Sequence, residues 1–188
     1  MTSTPFDPGP AGDAEAVEAD GRWTLVLRRR LRHPRPVVWS ELTDPAQLAA
    51  WAPYTADRDL GHTGETVLSM VDGSTTVDLP AQVVRAEPPL LLEHSWGDDL
   101  LRWELEEDGA ATLLTLRHTV GSKDWLARAA AGWHLCLAVA GRFLDGVPVG
   151  PIVGEAARAH GWDELRDAYA AQLGAPDDDW PQEFVEGR

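Results

Sequence analysis

The stretch Asp124–Asp145, DWLARAAAGWHLCLAVAGRFLD, decides the fold. One face of a helix drawn through it carries Trp133, Leu137, Ala140 and Leu144. A second apolar stripe beside that face carries Cys136, Val139 and Phe143. Because such a helix is apolar on most of its surface, protein must cover it on two sides. The stretch therefore predicts one long helix packed against other elements of the chain.

The sequence before this helix alternates between apolar and polar residues for at least 40 residues, which is typical of half-buried strands. Strands are predicted at Trp23–Leu31, Gly64–Met70, Thr75–Glu87 and Leu90–Trp96, with Asp72-Gly73 as a hairpin turn. A further hairpin is predicted around Asp108-Gly109; with those two residues as its turn, Trp103 lies opposite Leu114. The expected fold class is α+β, a curved antiparallel sheet wrapped round a long C-terminal helix.

Two short helices are predicted between the first two strands. One starts near Pro36, and the next is capped by Thr43 or Asp44, with Pro45 in its first turn. A further amphipathic helix is predicted from Ala156 to Leu173.

Composition gives the domain organisation. The 188 residues, 44% of them hydrophobic, suit one domain with tails. We expect residues 1–20 to be a disordered acidic leader, residues 21–146 to be the folded domain, residues 147–173 to be an extension with the last helix, and residues 174–188 to be an acidic tail.

Charge and targeting signals limit the partners. The net charge of −15 repels nucleic acid and anionic membrane surfaces. The first twenty residues contain no Lys or Arg and no apolar run, so they do not resemble a signal peptide. The most apolar segment is interrupted by Arg128, His134 and Arg142, which argues against membrane insertion. With the single Cys136, these features predict a cytoplasmic protein. We expect it to be a monomer or a homodimer.

Four motifs in order carry a family resemblance. They are TDPAQLAAW (Thr43–Trp51), EPP (Glu87–Pro89), WELEEDGAATLLTLRHT (Trp103–Thr119) and the leucine-rich helix after Gly132. Together they resemble the START-type helix-grip superfamily, also called SRPBCC. Within it they are similar to the branch of homologues of the activator of heat-shock-protein-90 ATPase. The resemblance covers roughly residues 22–146, with Ala111 where the family usually has Gly.

This resemblance implies a cavity between helix and sheet that takes lipids, polyketides or other apolar ligands. The residues expected to line it are Trp51, Met70, His94, Trp96, Trp103, His118, Trp133 and Leu137. Aromatic side chains are also ordinary core residues, so a purely structural role stays open for each Trp. Nine Trp against three Phe and two Tyr is nevertheless unusual, because each indole N–H needs a partner when buried.

The polar candidates are less specific. An inward Arg29 needs either a carboxylate in a salt bridge or the carboxylate or carbonyl of a ligand. His94 and His118 are read either as satisfied core histidines or as polar anchors, and Asp98-Asp99 is expected to be a solvated turn. No catalytic constellation, metal-ligand spacing or cofactor motif is visible.

Three function hypotheses follow. The first is binding of a small apolar molecule in the cavity. The second is an enzyme of the cyclase or dehydratase type, in which His94 or His118 moves a proton in the same cavity. The third is a stress-response or chaperone-associated interaction module that uses its surface. A roomy cavity with converging histidines would favour the second, and a closed, dry interior would favour the third.

Overall fold

The computed structural model describes residues 6–72 and 75–175. Its strands are β1 (Ala14–Ala19), β2 (Arg22–Leu31), β3 (Tyr54–Ala56), β4 (Gly64–Asp72), β5 (Thr75–Glu87), β6 (Leu91–Trp96), β7 (Asp99–Asp108) and β8 (Ala111–Val120). Its helices are α1 (Arg35–Thr43), α2 (Pro45–Leu48), α3 (Leu126–Leu144) and α4 (Trp162–Leu173). Short 3₁₀ turns occupy Lys123–Trp125 and Gly154–His160.

The strands within the described residues form one antiparallel sheet in the order β1-β2-β8-β7-β6-β5-β4-β3. Its concave face packs on α3, which is covered on its other side by α4. The predicted α+β helix-grip fold is therefore confirmed. The period-2 alternation sends Leu25, Leu27, Leu101 and Trp103 into one core.

The β7–β8 register differs from the sequence prediction by two residues. Trp103 lies opposite Leu116 rather than Leu114, because the turn is Gly109-Ala110. Gly109 has a φ of +64°, which suits the first central position of a type II′ hairpin. A shift of two leaves every side chain on the same face, so the predicted inward residues still point inward.

The expectation of a disordered leader is wrong for the part that the structure describes. Residues 14–19 form the edge strand β1, which pairs along β2. Asp20 and Gly21 have φ values of +53° and +74° and make a two-residue turn of type I′. The inward positions of β1 are Ala14 and Ala16, whose small side chains give a weak apolar pattern, so the strand depends on backbone pairing.

The short helices agree with the prediction. Pro36 lies in the first turn of α1, and Asp44 caps α2 by accepting the Ala46 N–H at 2.8 Å. The last helix is shorter than predicted, because Gly161, with a φ of +83°, separates a 3₁₀ segment from α4. The predicted turn at Asp72-Gly73 lies partly outside the described residues, as does most of the predicted acidic tail.

Candidate functional site

The concave sheet face and α3 bring most of the predicted ligand-binding residues together. Two of these residues, Met70 and Trp96, are half-buried. The other six are buried: Trp51, His94, Trp103, His118, Trp133 and Leu137. His94, Trp96, Trp103 and His118 share the concave face because they occupy alternate positions on adjacent strands. Trp133 and Leu137, one turn apart on α3, are both members of the same apolar core.

Indole rings fill the centre of this interior in edge-to-face contacts. The ring centroids are 5.3 Å apart for Trp103 and Trp133, and 5.6 Å apart for Trp96 and Trp133. Trp51, in the turn after α2, meets Trp103 at 6.1 Å. This arrangement puts ring edges against ring faces, the favoured geometry for aromatic pairs. We call these four rings the tryptophan cluster.

Both ring nitrogens of His118 make hydrogen bonds. Its Nε2 lies 2.8 Å from Asp99 Oδ2, and its Nδ1 accepts the Trp133 indole N–H at 3.1 Å. The Nε2 atom therefore carries the proton, which it donates to the carboxylate. The expectation of a solvated turn at Asp98-Asp99 is wrong for Asp99, which starts β7 and points toward the same face as Leu101. Asp99 also lies 3.8 Å from the Arg22 guanidinium at the rim of the sheet.

His94 is the more deeply buried histidine. Its Nδ1 lies 3.0 Å from the Ser95 carbonyl oxygen, to which it donates, and its Nε2 accepts the Tyr54 hydroxyl at 3.1 Å. Burial lowers the pKa of His94 to about 4, opposed by its hydrogen bond to the Ser95 carbonyl. The imidazole is thus neutral at physiological pH, with both nitrogens occupied.

Beside His94 the interior contains polar groups that are not all fully hydrogen-bonded. Burial raises the pKa of the Tyr54 hydroxyl, and it raises the pKa of the nearby Cys136 thiol to about 12. The Trp103 indole N–H lies near enough to the Tyr54 hydroxyl to lower its pKa through a weak hydrogen-bond contact, but it makes no hydrogen bond of full geometry. Trp103 is completely buried.

Met70 and Trp96 lie at the partly exposed edge of the cluster. The Trp96 indole N–H donates to the Met70 thioether sulfur at 2.9 Å, which is a weak acceptor. The Trp96 ring also contacts Tyr54 and His118, with centroids 5.8 and 5.4 Å away. Trp96 therefore contacts both Tyr54, which bonds to His94, and His118 from the partly exposed edge of the cluster.

Arg29 is the predicted site residue that has no contact with the tryptophan cluster among the described interactions. It is half-buried on β2, and its charge acts on His134 of α3 and Tyr169 of α4, both of which hydrogen-bond to residues 6–13. Neither ion pairs nor hydrogen bonds to its guanidinium occur within residues 6–72 and 75–175. The expected salt bridge near the mouth of the sheet is therefore not seen in this part of the chain.

Sequence reasoning missed Glu41, Tyr54 and Asp99. Asp99 could have been found, because it lies two residues before Leu101 and so shares its inward face. Tyr54 lies on a strand of three residues, too short to show an alternation. Glu41 lies on α1 and is buried, an outcome that the short helix pattern does not reveal.

Two open clefts stand out in the described part of the chain, and both lie away from the tryptophan cluster. One, of about 570 Å³, is lined by residues of β4 and β5 with Asp57 and Ser95. The other, of about 640 Å³, lies between residues 6–11 and the segment before α4. Among the described residues, no three His, Cys, Asp or Glu side chains are grouped so as to hold a metal ion.

Comparisons with known proteins agree with this geometry. The family model described as Activator of Hsp90 ATPase homolog 1-like protein matches residues 32–139. CalU16 from Micromonospora echinospora has a similar crystal structure, with 26% sequence identity, a TM-score of 0.63, and coverage of 85% of this chain and 95% of that one. No curated protein matches the chain significantly.

Two further structures show the same fold at lower identity. The AHSA1-like protein from Aeromonas hydrophila is 19% identical, with a TM-score of 0.53 over 64% of this chain and 92% of that one. DynU16, a protein in the dynemicin biosynthetic locus, is 21% identical, with a TM-score of 0.58 over 66% of this chain and 48% of that one.

In the described residues, no helix has the length and apolar character needed to cross a membrane.

Proposed function

Because the chain belongs to the Activator of Hsp90 ATPase homolog 1-like family of helix-grip proteins, we propose that it binds a small hydrophobic molecule between α3 and the concave sheet face. Proteins of this type commonly bind apolar ligands in that space. The residues proposed to meet the ligand are Trp51, Met70, His94, Trp96, Trp103, His118, Trp133 and Leu137. Arg29 is kept as a separate candidate anchor, because it shares the inward face of β2 with Leu27 and Leu31 while its charge acts on His134 and Tyr169.

The indole N–H of Trp103, whose one polar contact is the weak one with the Tyr54 hydroxyl, is the observation that carries this proposal. A buried donor without an acceptor costs roughly 1–3 kcal/mol, and a sealed core could use Phe or Leu instead. A ligand with a carbonyl or ether oxygen in the tryptophan cluster would satisfy that N–H. A ligand acceptor at this position would explain why the interior keeps an indole N–H that is not fully hydrogen-bonded.

Entry to the site is proposed at Met70 and Trp96. Both side chains are half-buried, and they are joined by an N–H to sulfur contact that is weaker than an ordinary hydrogen bond. Met is also flexible enough to repack around a guest. The cluster is closed in this structure, which is the outcome expected for a surface interaction module, so binding requires that a ligand displace Trp96 before it reaches Trp103 and Trp133.

Titration with the apolar dye Nile red tests the proposal. We expect one dye per chain, with quenching or a shift of tryptophan emission. Trp133→Ala should change the affinity at least about tenfold, whereas Trp125→Ala, at a ring that is 40% exposed outside the cluster, should leave it within twofold. Absence of dye binding, or equal effects of the two variants, would contradict an internal site.

A cyclase or dehydratase reaction is the second candidate, favoured by the 2.8 Å contact between Asp99 and His118. A carboxylate that orients an imidazole is typical of general bases. Here, however, Trp133 occupies the other nitrogen of His118 and would have to move first. Turnover of an aromatic ketone or polyketide that falls at least about a hundredfold in His118→Gln, with ligand affinity kept within a few fold, would favour this candidate.

The expected cytoplasmic location, the choice between monomer and homodimer, and the surface role in a stress response stay predictions. Size-exclusion chromatography with light scattering would test the oligomeric state directly.

A further inference from the structure

Glu41 is a buried carboxyl with an unpaired oxygen. It lies on α1, on the helix face that also carries Val38 and Leu42, and only 2% of its surface is exposed. Its Oε1 atom has no hydrogen-bond partner. Among the described residues it is the only buried acidic side chain, and no Lys or Arg is buried with it. The interior therefore contains an acid with no counter-charge.

Among the described residues, the charged groups on α1 and at its end do not pair with Glu41, although the Arg35 Nε atom is also buried without a partner. Arg35, on the first turn of the helix, pairs with Glu107 of β7 at 2.6 Å. Asp44, at its end, caps α2. Burial alone raises the pKa of Glu41 to about 8, with no contribution from a neighbouring charge. The carboxyl is thus mostly protonated at neutral pH and ionises close to it.

The backbone of Glu41 connects it to the tryptophan cluster. The Trp51 indole N–H donates to the Glu41 carbonyl oxygen at 3.2 Å, and the Trp51 ring contacts Trp103. An ammonium group is attracted both by a carboxylate and by the faces of Trp rings. Such a group would supply the positive counter-charge that an ionised Glu41 carboxylate lacks.

We propose that the ligand is an apolar amine, and that its ammonium group pairs with the buried carboxylate of Glu41, the residue whose backbone carbonyl accepts the Trp51 indole N–H. This inference rests on the binding site proposed above and specifies the chemistry of its occupant. The net charge of −15 acts in the same direction, because it attracts cations to the protein.

The proton balance gives the proposal a distinctive signature. When the ammonium form binds below pH 8, the O–H bond of Glu41 breaks, its proton leaves to solvent, and the ammonium N–H donates to the resulting carboxylate. About one proton is therefore released per ligand bound. Amine affinity should rise as the pH rises toward 8, by close to tenfold per pH unit well below the pKa.

A matched pair of probes tests this chemistry. 1-Naphthylmethylamine and 1-naphthylmethanol have the same ring and differ in the charged group, and each is measured by displacement of Nile red. At pH 7.5 we expect the amine to bind at least about tenfold more tightly than the alcohol. Glu41→Gln should remove that preference and leave the alcohol and Nile red affinities within twofold. Glu106→Gln, which removes an exposed carboxylate from β7, should leave the preference intact.

Calorimetry in buffers of different ionisation enthalpy provides a readout that does not depend on a variant. Proton release on amine binding at pH 6.5, absent for the alcohol, is the expected result. Equal binding of both probes, or an amine preference that survives Glu41→Gln, would overturn this inference while leaving the hydrophobic site in place. Failure of Nile red and of both probes to bind would instead overturn the proposed function itself.

Discussion

The indole nitrogen of Trp133 lies 3.1 Å from Nδ1 of His118, and this hydrogen bond joins α3 to the sheet across the interior. The acceptor nitrogen has no proton, so the bond holds His118 as the neutral Nε2–H tautomer that donates to Asp99. Movement of Trp133 would leave Nδ1 buried without a partner. The same bond therefore joins α3 to the sheet and opposes the movement of Trp133 that the proposed binding site would require.

Trp133→Phe should lower the free energy of unfolding by about 1–2 kcal/mol, because the ring is largely kept while the buried imidazole loses its donor. Urea denaturation followed by circular dichroism measures the change. Trp125→Phe serves as the control and should shift the free energy by less than about 0.5 kcal/mol. Equal losses in the two variants would show that the Trp133 to His118 bond contributes little.

His94 should make the protein less stable as the pH falls. Its pKa is about 4 in the folded protein and near 6.5 when unfolded, so the unfolded chain binds more protons between these values. Its contribution is complete above about pH 6.5 and is lost as the pH falls toward 4, with a loss on the order of 2 kcal/mol at pH 5. Unfolding free energies at pH 7 and pH 5 measure it.

Two variants isolate that effect. His94→Gln should flatten the decline between pH 7 and pH 5, although the variant is less stable at both values. His62→Gln, at an exposed histidine, should keep the full decline. A decline that is unchanged in His94→Gln would assign the pH dependence to other groups.

Much of the fold could be predicted because buried faces of helices and strands require apolar residues at regular spacings in the sequence. The apolar stripes of α3 and the alternation in β2, β7 and β8 reflect faces that must be covered. The missed strand β1 is different, since its inward positions are Ala14 and Ala16 and its pairing uses backbone groups. The local signal that could have revealed it is the Asp20-Gly21 turn.

The site was predictable only in part, for a related reason. The alternation of apolar and polar residues predicted which face of the sheet carries His94 and His118. An error of two residues in the predicted β7–β8 register does not change that face. It could not tell what their nitrogens bind, because Tyr54 and Trp133 come from elements distant in sequence. Those partners depend on tertiary packing, which leaves no short-range pattern.

Glu41→Gln should stabilise the protein at neutral pH. The folded pKa of about 8 exceeds the ordinary 4.5, so the folded chain binds more protons between these values, and stability falls as the pH rises through that window. At pH 7 the penalty is on the order of 3 kcal/mol, and the variant should recover a large part of it. Near pH 4 the two proteins should be equally stable. Urea denaturation at both pH values tests this, and a constant difference would mean that Glu41 does not titrate in this window.

Residues 6–13 precede β1, and we call them the N-terminal segment. Tyr169 on α4 joins this segment to α3, because its hydroxyl accepts the Gly12 N–H at 3.1 Å and donates to His134 Nδ1 at 2.8 Å. His134 Nε2 in turn donates to the Pro8 carbonyl at 2.9 Å. Burial lowers the pKa of His134, which keeps the imidazole neutral and able to accept from Tyr169.

Tyr169→Phe removes this shared hydroxyl and should lower the free energy of unfolding by about 1–2 kcal/mol. Hydrogen exchange should become faster at the Gly12 amide, which loses its acceptor, and stay unchanged at Leu101 in the centre of the sheet. Deletion of residues 1–13 should likewise lower the melting temperature by several degrees. A truncated protein with an unchanged melting temperature would instead agree with the sequence-based expectation of a disordered leader.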